Sequence, residues 1–565
     1  MNKNPGRNDP CLCGSQKKFK RCCENKASGS TARAQTQEIS ISQQLELAME
    51  HHRQGRWTQA WDQYRQILAV MPDHGDALHL SGLIAYQQGN NGSAVALMAA
   101  AIRVKPAEAS YHYNLGVLLQ AEAQYDGAAA CYRQALALKP DYLEVFPNLG
   151  AILHKQGRLA EAIACYRQAL ALKPDYAAVY CNMGLSLQAQ GDAGAAMDCY
   201  RRALTILPDY AEACCNLGVA LSETRPYESI AHYRQALAIK PEYADARFNL
   251  ALTLLRLGHF DEGWMHYEAR YDRGKSEPTT IRPGLSCPQW SGEKLLGKSI
   301  AVWPEQGMGD EIQCVRYIPL LQALGAARIT LICKAPLQAL FGSVQGVDDV
   351  IAESAVPQLE PHDYWVFQMS LPLHFKTQLD SIPARLPYLA AEPAKIERWS
   401  ECLPGNGLKV GLIWKGSITH KNDLRRSLPG LSLLAPLWSV TGVSFVSLQK
   451  GQGEEEAANP PAAQPLIDLG SKIEDFSDTA AIISQLDLVI CVDTAAAHLA
   501  GALGKPCWLL LPHIGSDWRW LQGRADSPWY PHVMRLFRQT DNDGWNSTVI
   551  RLAEALYEFN REHIG

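Results

Sequence analysis

Residues 148–184 read NLGAILHKQGRLAEAIACYRQALALKPDYAAVYCNMG, and this stretch decides the first half of the fold. It opens and closes on the same Asn-hydrophobic-Gly phrase, at Asn148 and at Asn182, 34 residues apart. Working outward, the phrase recurs at Asn114 and Asn216 at the same interval, and Asn249-Leu-Ala follows after 33 residues. Prolines mark the unit ends at Pro72, Pro106, Pro140, Pro174, Pro208 and Pro241. Small alanines fall where helices cross closely, with Tyr or Leu filling gaps. Self-similarity at this period predicts stacked helix pairs, because a single pair cannot bury its apolar face alone. Six units run from about residue 43 to 243, with a partial seventh ending near Tyr271. The last interval is shorter because SETRPYES replaces a longer turn between helices.

The register resembles the tetratricopeptide repeat in length, in glycine and alanine placement, and in its terminal proline. The resemblance implies a superhelix whose concave face is lined by the first helix of each unit. Asn114, Asn148, Asn182, Asn216 and Asn249 hold one register position there. An amide at that position can hydrogen-bond the backbone of an extended peptide without reading its side chains. The row resembles the asparagine ladder of the O-GlcNAc transferases. Asparagine is also common at this position in repeats that bind nothing extended, so both readings stay open. A solenoid offers a large groove and no chemistry of its own, which points to a protein partner.

At 565 residues the chain exceeds the roughly 250–300 at which one core stops growing, so several domains are expected. A hydrophobic content of 47% with 20% charge is that of a folded protein. The net charge of −5 gives no overall attraction to nucleic acid or to an acidic membrane surface, and neither is an expected partner. The first residues lack the apolar segment of a secretory signal. No apolar run approaches the roughly 18–20 residues of a membrane span, so a cytoplasmic location is expected. Among sixteen cysteines, Cys131, Cys165 and Cys199 recur every 34 residues, as do Cys181 and Cys215. These read as small buried hydrophobes in a reducing compartment.

Cys11, Cys13, Cys22 and Cys23 form a different pattern, C-x-C-x8-C-C, within PCLCGSQKKFKRCC. Four thiolates within thirteen residues can close a tetrahedral shell around Zn²⁺ where no apolar core exists. A redox-active cluster is the alternative. Spacing and intervening residues resemble the SEC-C motif, which implies structural zinc and a small docking surface. The polar linker ASGSTARAQTQEIS follows.

From about Pro283 short apolar strands alternate with helices: SIAVW (299–303), RITLIC (328–333), YWVFQ (364–368), KVGLIW (409–414), SFVSL (444–448), LDLVICV (486–492) and CWLLLP (507–512). This predicts parallel α/β layers. The proline-containing stretch around 383–405 splits them into two Rossmann-like lobes facing across a cleft. Such sheets bind ligands at the carboxyl ends of their strands. There the first strand runs into Gly307-Met308-Gly309-Asp310, a tight turn opening a helix; Asp310 is a capping residue or a general base. KVGLIW ends at Lys415-Gly416-Ser417, and LDLVICV at Asp493-Thr494, with His498 in the helix that follows. Two such loops at one cleft mouth, one bearing a cation, favour a nucleotide-diphosphate site, since free N–H groups and a helix dipole attract phosphates.

GMGDEIQ, WKGS and VDTAAAHLAGALGKP resemble the heptosyltransferase-type (family 9) glycosyltransferases of the GT-B fold. DWRWLQGRADSPWYPHVMRLFRQ resembles the subgroup that joins tetratricopeptide repeats to such a domain. The resemblance implies inverting transfer from a nucleotide-diphosphate sugar, with Asp310 as catalytic base and no catalytic metal. Gly307, Gly309, Lys415, Ser417, Asp493, Thr494 and His498 would lie at the donor. The attached solenoid departs from the heptosyltransferases and points to a protein acceptor or client. Rival readings are a repeat scaffold or secretion or chaperone adaptor with an inactive transferase domain, and a glycan- or lipopolysaccharide-directed transferase.

Asp541-Asn542-Asp543 reads as turn chemistry rather than a metal motif, and Glu311 as a first-turn helix residue. Trp518, Trp520, Trp529 and Tyr530 are a stacking platform or core packing. Arg519 and Arg524 are phosphate ligands or partners of Asp517 and Asp526. His420, Lys421, Arg425 and Arg426 form a basic loop, closing over the donor or simply solvated. STVIRLAEALYEFNREH predicts an amphipathic helix, which the fold resemblance implies crosses back to the first lobe. The expected organisation is a zinc-binding motif (1–27), a linker (28–40), an α-solenoid (41–272) and two GT-B lobes, acceptor side (283–404) and nucleotide-sugar side (405–565).

Overall fold

A computed structural model of the chain describes residue 18 and residues 41–272, 282–540 and 544–564. Cys11, Cys13, Cys22, Cys23 and the turn at 541–543 lie outside the described residues. The chain divides into two compact units, Met1–Pro208 and Asp209–Gly565.

The first unit stacks helix pairs: 41–53 with Trp57–Val70, Gly75–Gln87 with Asn91–Val104, Ala109–Ala121 with Tyr125–Leu138, Val145–Lys155 with Leu159–Leu172, and Ala177–Gln190 with Ala193–Ile206. One packing device repeats along this solenoid. A Cβ on Gly116, Gly150 or Gly184 would lie 2.6, 2.6 and 2.5 Å from the ring of Tyr132, Tyr166 and Tyr200 respectively. The glycine is required because the tyrosine of the paired helix rests on its Cα. Ala135, Ala169 and Ala203 are fully buried in the same helices. Before the closing prolines the backbone is extended, φ −136° and ψ 92° at Lys139, since the proline ring disfavours helix at the preceding residue. The ammonium of that lysine turns over Tyr142, 4.8 Å from the ring centre.

The second unit opens with two further pairs, Ala211–Leu221 with Pro226–Ile239 and α1 (Ala244–Arg256) with Phe260–Tyr267. Pro226 starts its helix directly, which absorbs the shortened interval, and Gly218 still meets the Tyr233 ring at 2.6 Å. The last pair packs into the α/β region. Phe260, Trp264 and Tyr267 are buried, and the Trp264 ring centre lies 5.2 Å from that of Trp518. Arg270, 2% exposed, makes a two-pronged ion pair with Glu305 at 2.9 and 2.8 Å.

Among the described residues, ten parallel strands form two sheets: β1 (Ser299–Trp303), β2 (Arg328–Cys333), β3 (Asp349–Ala352) and β4 (Tyr364–Phe367), then β5 (Leu408–Ile413), β6 (Val443–Ser447), β7 (Ile467–Asp468), β8 (Leu488–Val492), β9 (Cys507–Leu511) and β10 (Met534–Arg538). The first sheet runs β3-β2-β1-β4 and the second β10-β9-β8-β5-β6-β7. Renumbered within itself, the second has the doubly wound order 3-2-1-4-5-6, and the first follows the same winding with one strand beyond its reversal. Every residue of β8 and β9 is buried, as expected of parallel strands covered on both faces. All seven strands read from apolar runs are present. Sequence missed β3, β7 and β10, because β3 is half-exposed, β7 is two residues long, and β10 mixes buried Met534, Leu536 and Phe537 with exposed Arg535.

Helices α2 (Met308–Cys314), α3 (Pro393–Ser400), α4 (Phe476–Ile483), α5 (Ala495–Ala502) and α6 (Asn546–Ile564) complete the frame used below. α3 packs on α4, where Trp399 Nε1 donates to Asp478 at 3.1 Å. α6 corrects an expectation: it stays with the second sheet instead of crossing to the first. Its Asn560 donates to the Thr441 carbonyl at 3.0 Å, and its Phe559 packs edge-on to Trp508. No helix among the described residues is long and apolar enough to cross a membrane.

Candidate active site

The strand order reverses between β1 and β4 in one sheet and between β5 and β8 in the other, and the crevice beyond those strands is where such sheets hold ligands. The turn after β1 and the loop after β8 meet there, because α2 packs against α5. Gly309 permits this approach: a Cβ would lie 2.9 Å from the His498 ring and 3.4 Å from the Ala495 Cα.

Asp310 sits at the start of α2. One carboxylate oxygen accepts the Gly307 N–H at 2.7 Å, which is the capping role. The other accepts from Arg519, and the carboxyl group stays 18% exposed at the cleft. Arg519 is 4% exposed and also donates to Asp517 at 2.9 Å and to Gln313. Burial opposes its charge, but Asp310 and Asp517 outweigh burial and hold the guanidinium well above its ordinary range.

The loop after β8 is also charged. Burial and the nearby Asp517 push the Asp493 carboxyl up to about 7, against the pull of Arg426 and Arg519. Thr494 opens α5, and its Oγ1 is buried with no hydrogen-bond partner. Arg426 donates to the Asp493 carbonyl at 3.0 Å. Its guanidinium lies against Gly416, where a Cβ would come within 2.6 Å, so a side chain there would push the Arg426 guanidinium from its place. A cavity of about 300 Å³ opens here, lined from the sheet side by His420, Arg426, Asp493 and Asp517 and from α1 by Asn249 and Arg256.

Several expected donor residues sit elsewhere. Lys415 does not line this cavity and pairs with Glu456 at 2.6 Å. Its turn is fixed by Gln449, whose Oε1 accepts from the N–H groups of Trp414 and Lys415 at 2.9 and 3.0 Å. Ser417 is exposed and hydrogen-bonded to Thr419. His498 is buried, bonded to Tyr530 at 2.8 Å and stacked on Trp520. Burial, with Arg519 and Arg316 nearby, pushes its pKa well below the usual histidine range, so it packs as a neutral ring. Trp520, Trp529 and Tyr530 are core packing, each at most 1% exposed, whereas Trp518, 5% exposed, also lines the cavity. Arg524 pairs with Asp526 at 2.7 Å. Glu311 is more than a first-turn residue: it is fully buried on Lys334 at 2.8 Å, and burial pushes its carboxyl up to about 7.

The asparagine row reaches back along the repeats. Asn114 Nδ2 lies 2.9 Å from His79 Nε2, Asn148 donates to Tyr113 at 3.2 Å, and Asn249 to the Cys215 sulfur at 3.8 Å. Asn182 and Asn216 are half-buried at the same register. Sequence reasoning missed the Arg519–Asp310 pair, the Gln449 brace and the Glu456 counter-charge. Arg519 was legible only as a partner of its near neighbour Asp517, because nothing in a linear sequence brings residue 519 to residue 310.

Comparisons with known proteins follow the same division. Residues 123–157, 150–191 and 227–258 match the family described as TPR repeat, and residues 45–109 and 177–210 match that described as tetratricopeptide repeat. Residues 7–25 match the SEC-C motif. Residues 441–509 match glycosyltransferase family 9 (heptosyltransferase), a span from β6 to β9 that contains Asp493, Thr494 and His498. The chain combines repeats, SEC-C motif and a family 9 glycosyltransferase segment. Protein FlbA of Caulobacter vibrioides is 33% identical over 331 residues, 54% of this chain and 54% of FlbA, so the chain spans about half the length of that curated relative. Similar solved structures include YrrB, titled a TPR protein with an unusual peptide-binding site (18% identical, 32% of this chain and 95% of that one, TM-score 0.30). Others are PilF of Pseudomonas aeruginosa (17%, 37% and 96%, 0.34) and MamA of Desulfovibrio magneticus RS-1 (17%, 30% and 97%, 0.29).

Proposed function

We propose that the chain is an inverting, metal-independent glycosyltransferase of the GT-B kind, moving a sugar from a nucleotide-diphosphate donor to a protein held by its repeats. The observation that carries this reading is the meeting of the Asp310 turn and the Asp493-Thr494 loop at the reversals of two parallel sheets. Asp310 takes the proton of an acceptor hydroxyl as that oxygen bonds to the anomeric carbon. The bond from that carbon to the diphosphate breaks on the opposite face, and the nucleoside diphosphate leaves with the electron pair. N–H groups at the start of α5, the unpartnered Thr494 hydroxyl and Arg426 stabilise its charge. Gly307 and Gly309 keep the turn small, and His498 supports the loop from within the core. Lys415 and Ser417 serve the donor once Glu456 releases the ammonium. Asn114, Asn148, Asn182 and Asn216 meet the acceptor backbone. Cys11, Cys13, Cys22 and Cys23 hold one structural zinc ion, which metal analysis of the purified chain should find and a Cys22→Ser variant should lose.

A thermal-shift panel of UDP, GDP, ADP, TDP and CMP tests the transferase. A ligand at about 100 times its Kd adds about 2.7 kcal/mol to the folded state. One nucleotide should shift the intact chain and fail to shift the Asp493→Ala, Thr494→Ala double variant. No shift from any nucleotide sinks the reading. A second reading, a repeat scaffold with a silent transferase domain, draws on the pairing of Lys415 with Glu456 and of Asp310 with Arg519, which leaves neither charge free. It expects no nucleotide shift and undiminished capture of a protein partner.

A further inference from the structure

The cavity beside Asp493 has a second wall, and that wall belongs to the last repeats. Asn249 and Arg256, seven residues apart on α1, share one face of that helix and line the cavity opposite Arg426 and Asp493. Arg256 is the last residue of α1, and its side chain is 10% exposed. One terminal nitrogen pairs with Glu223 at 2.6 Å, and the other donates to the Ser222 carbonyl. Its buried Nε–H has no hydrogen-bond partner. The Arg256 carbonyl in turn accepts the Gln522 N–H at 3.0 Å, which fixes the end of α1 to the segment that carries Arg519. A buried guanidinium with a donor to spare is costly unless something fills the gap. The gap lies at the carboxyl ends of the strands flanking the reversal of the second sheet, where a donor diphosphate is expected.

We propose that the last repeat is part of the sugar-donor site: Arg256 binds the diphosphate together with Arg426, and Asn249 hydrogen-bonds hydroxyls of the transferred sugar. This rests on the transferase reading above. Planar guanidinium groups on two sides of one cavity suit the non-bridging oxygens of a diphosphate. Lys415, held by Glu456 outside the cavity, would join them only after leaving that partner. The proposal also separates Asn249 from the rest of the asparagine row, giving it a small-molecule ligand where the others face a peptide.

Titration calorimetry with UDP, GDP, ADP and TDP, and then with the matching nucleotide sugar, tests it on the full chain. Arg256→Gln should weaken the nucleoside diphosphate at least tenfold, with Arg256→Lys in between. Should Arg256→Gln unfold because Glu223 loses its partner, the Glu223→Gln, Arg256→Gln pair keeps the wall neutral and should show the same loss. Asn249→Ala should weaken the nucleotide sugar but leave the nucleoside diphosphate unchanged, while Asn148→Ala changes neither. Unchanged nucleotide affinity in folded Arg256 variants would overturn the proposal and leave the transferase reading standing. A nucleotide that fails to bind even the unaltered chain overturns both.

Discussion

The buried guanidinium of Arg519 holds the carboxylate of Asp310, joining the segment after β9 to the turn after β1. That bond fixes the proposed base between the two sheets, since the same guanidinium is anchored by Asp517 and Gln313.

Arg519→Met leaves Asp310 and Asp517 without their cation; both carboxylates keep contact with solvent, so the loss should be about 1–3 kcal/mol, below that of a fully buried pair. Urea unfolding should read that loss, and a change below about 1 kcal/mol would contradict the bridging role. Asp310→Asn has one carbonyl oxygen for two donors, the Gly307 N–H and Arg519, so it keeps the cap at the expense of the Arg519 bond, and its folding is checked by thermal unfolding. It should lower sugar transfer by roughly 10²–10⁴-fold while nucleotide binding stays as it was.

The glycine-on-tyrosine packing of the repeats predicts an asymmetry between two glycines of one helix pair. Gly184→Ala drives a methyl group to 2.5 Å from the Tyr200 ring and should cost about 1–3 kcal/mol in thermal unfolding. Gly194→Ala, whose nearest neighbour is 3.7 Å away, should instead gain up to about 1 kcal/mol from better helix propensity. Equal effects would argue against the packing.

Glu456 competes with any phosphate for Lys415. Glu456→Gln frees the ammonium, and for a partly exposed pair worth about 0.5–1 kcal/mol the nucleoside diphosphate should bind roughly two- to fivefold tighter. Weaker binding in that variant would remove Lys415 from the donor site.

The raised Asp493 carboxyl makes stability depend on pH. Its ordinary value is 3.8 and its folded value about 7, so the folded chain binds this proton more tightly than the unfolded chain. The contribution is fully present below about pH 4 and is lost as pH rises through about 7. Asp493→Asn removes that share of the fall. Since one unit is about 1.4 kcal/mol and solvent reaches the cavity, the variant should be about 1–2 kcal/mol more stable than the parent at pH 8 and equal to it near pH 4. Urea unfolding at the two pH values checks this. Glu311, also near 7, keeps its own part of the slope in both proteins.

Much of the fold was legible because its signals are local or periodic. The 34-residue spacing reports a helix pair, and seven of the ten strands are plain apolar runs. The missing strands are edge or near-edge pieces, where half-exposure breaks the apolar run. At the site, the turns at Gly307 and Asp493 were legible because glycines and small residues after a strand have few other uses. The partners of those turns were not. Glu456 lies 41 residues from Lys415, and Arg519 lies 209 from Asp310, and charge type alone does not choose among the many acids and bases in between.

By itself, then, the sequence determined the repeats, the parallel α/β layers and the small-residue turns at their strand ends, since each depends on neighbours within one helix pair or one strand and loop. Only the tertiary structure decided which charges are already paired, that His498, Trp520, Trp529 and Tyr530 are core, and that Arg256 of the last repeat lines the cavity beside Asp493. Those facts depend on burial and on contacts between elements far apart in the chain, and local residue patterns carry no record of either.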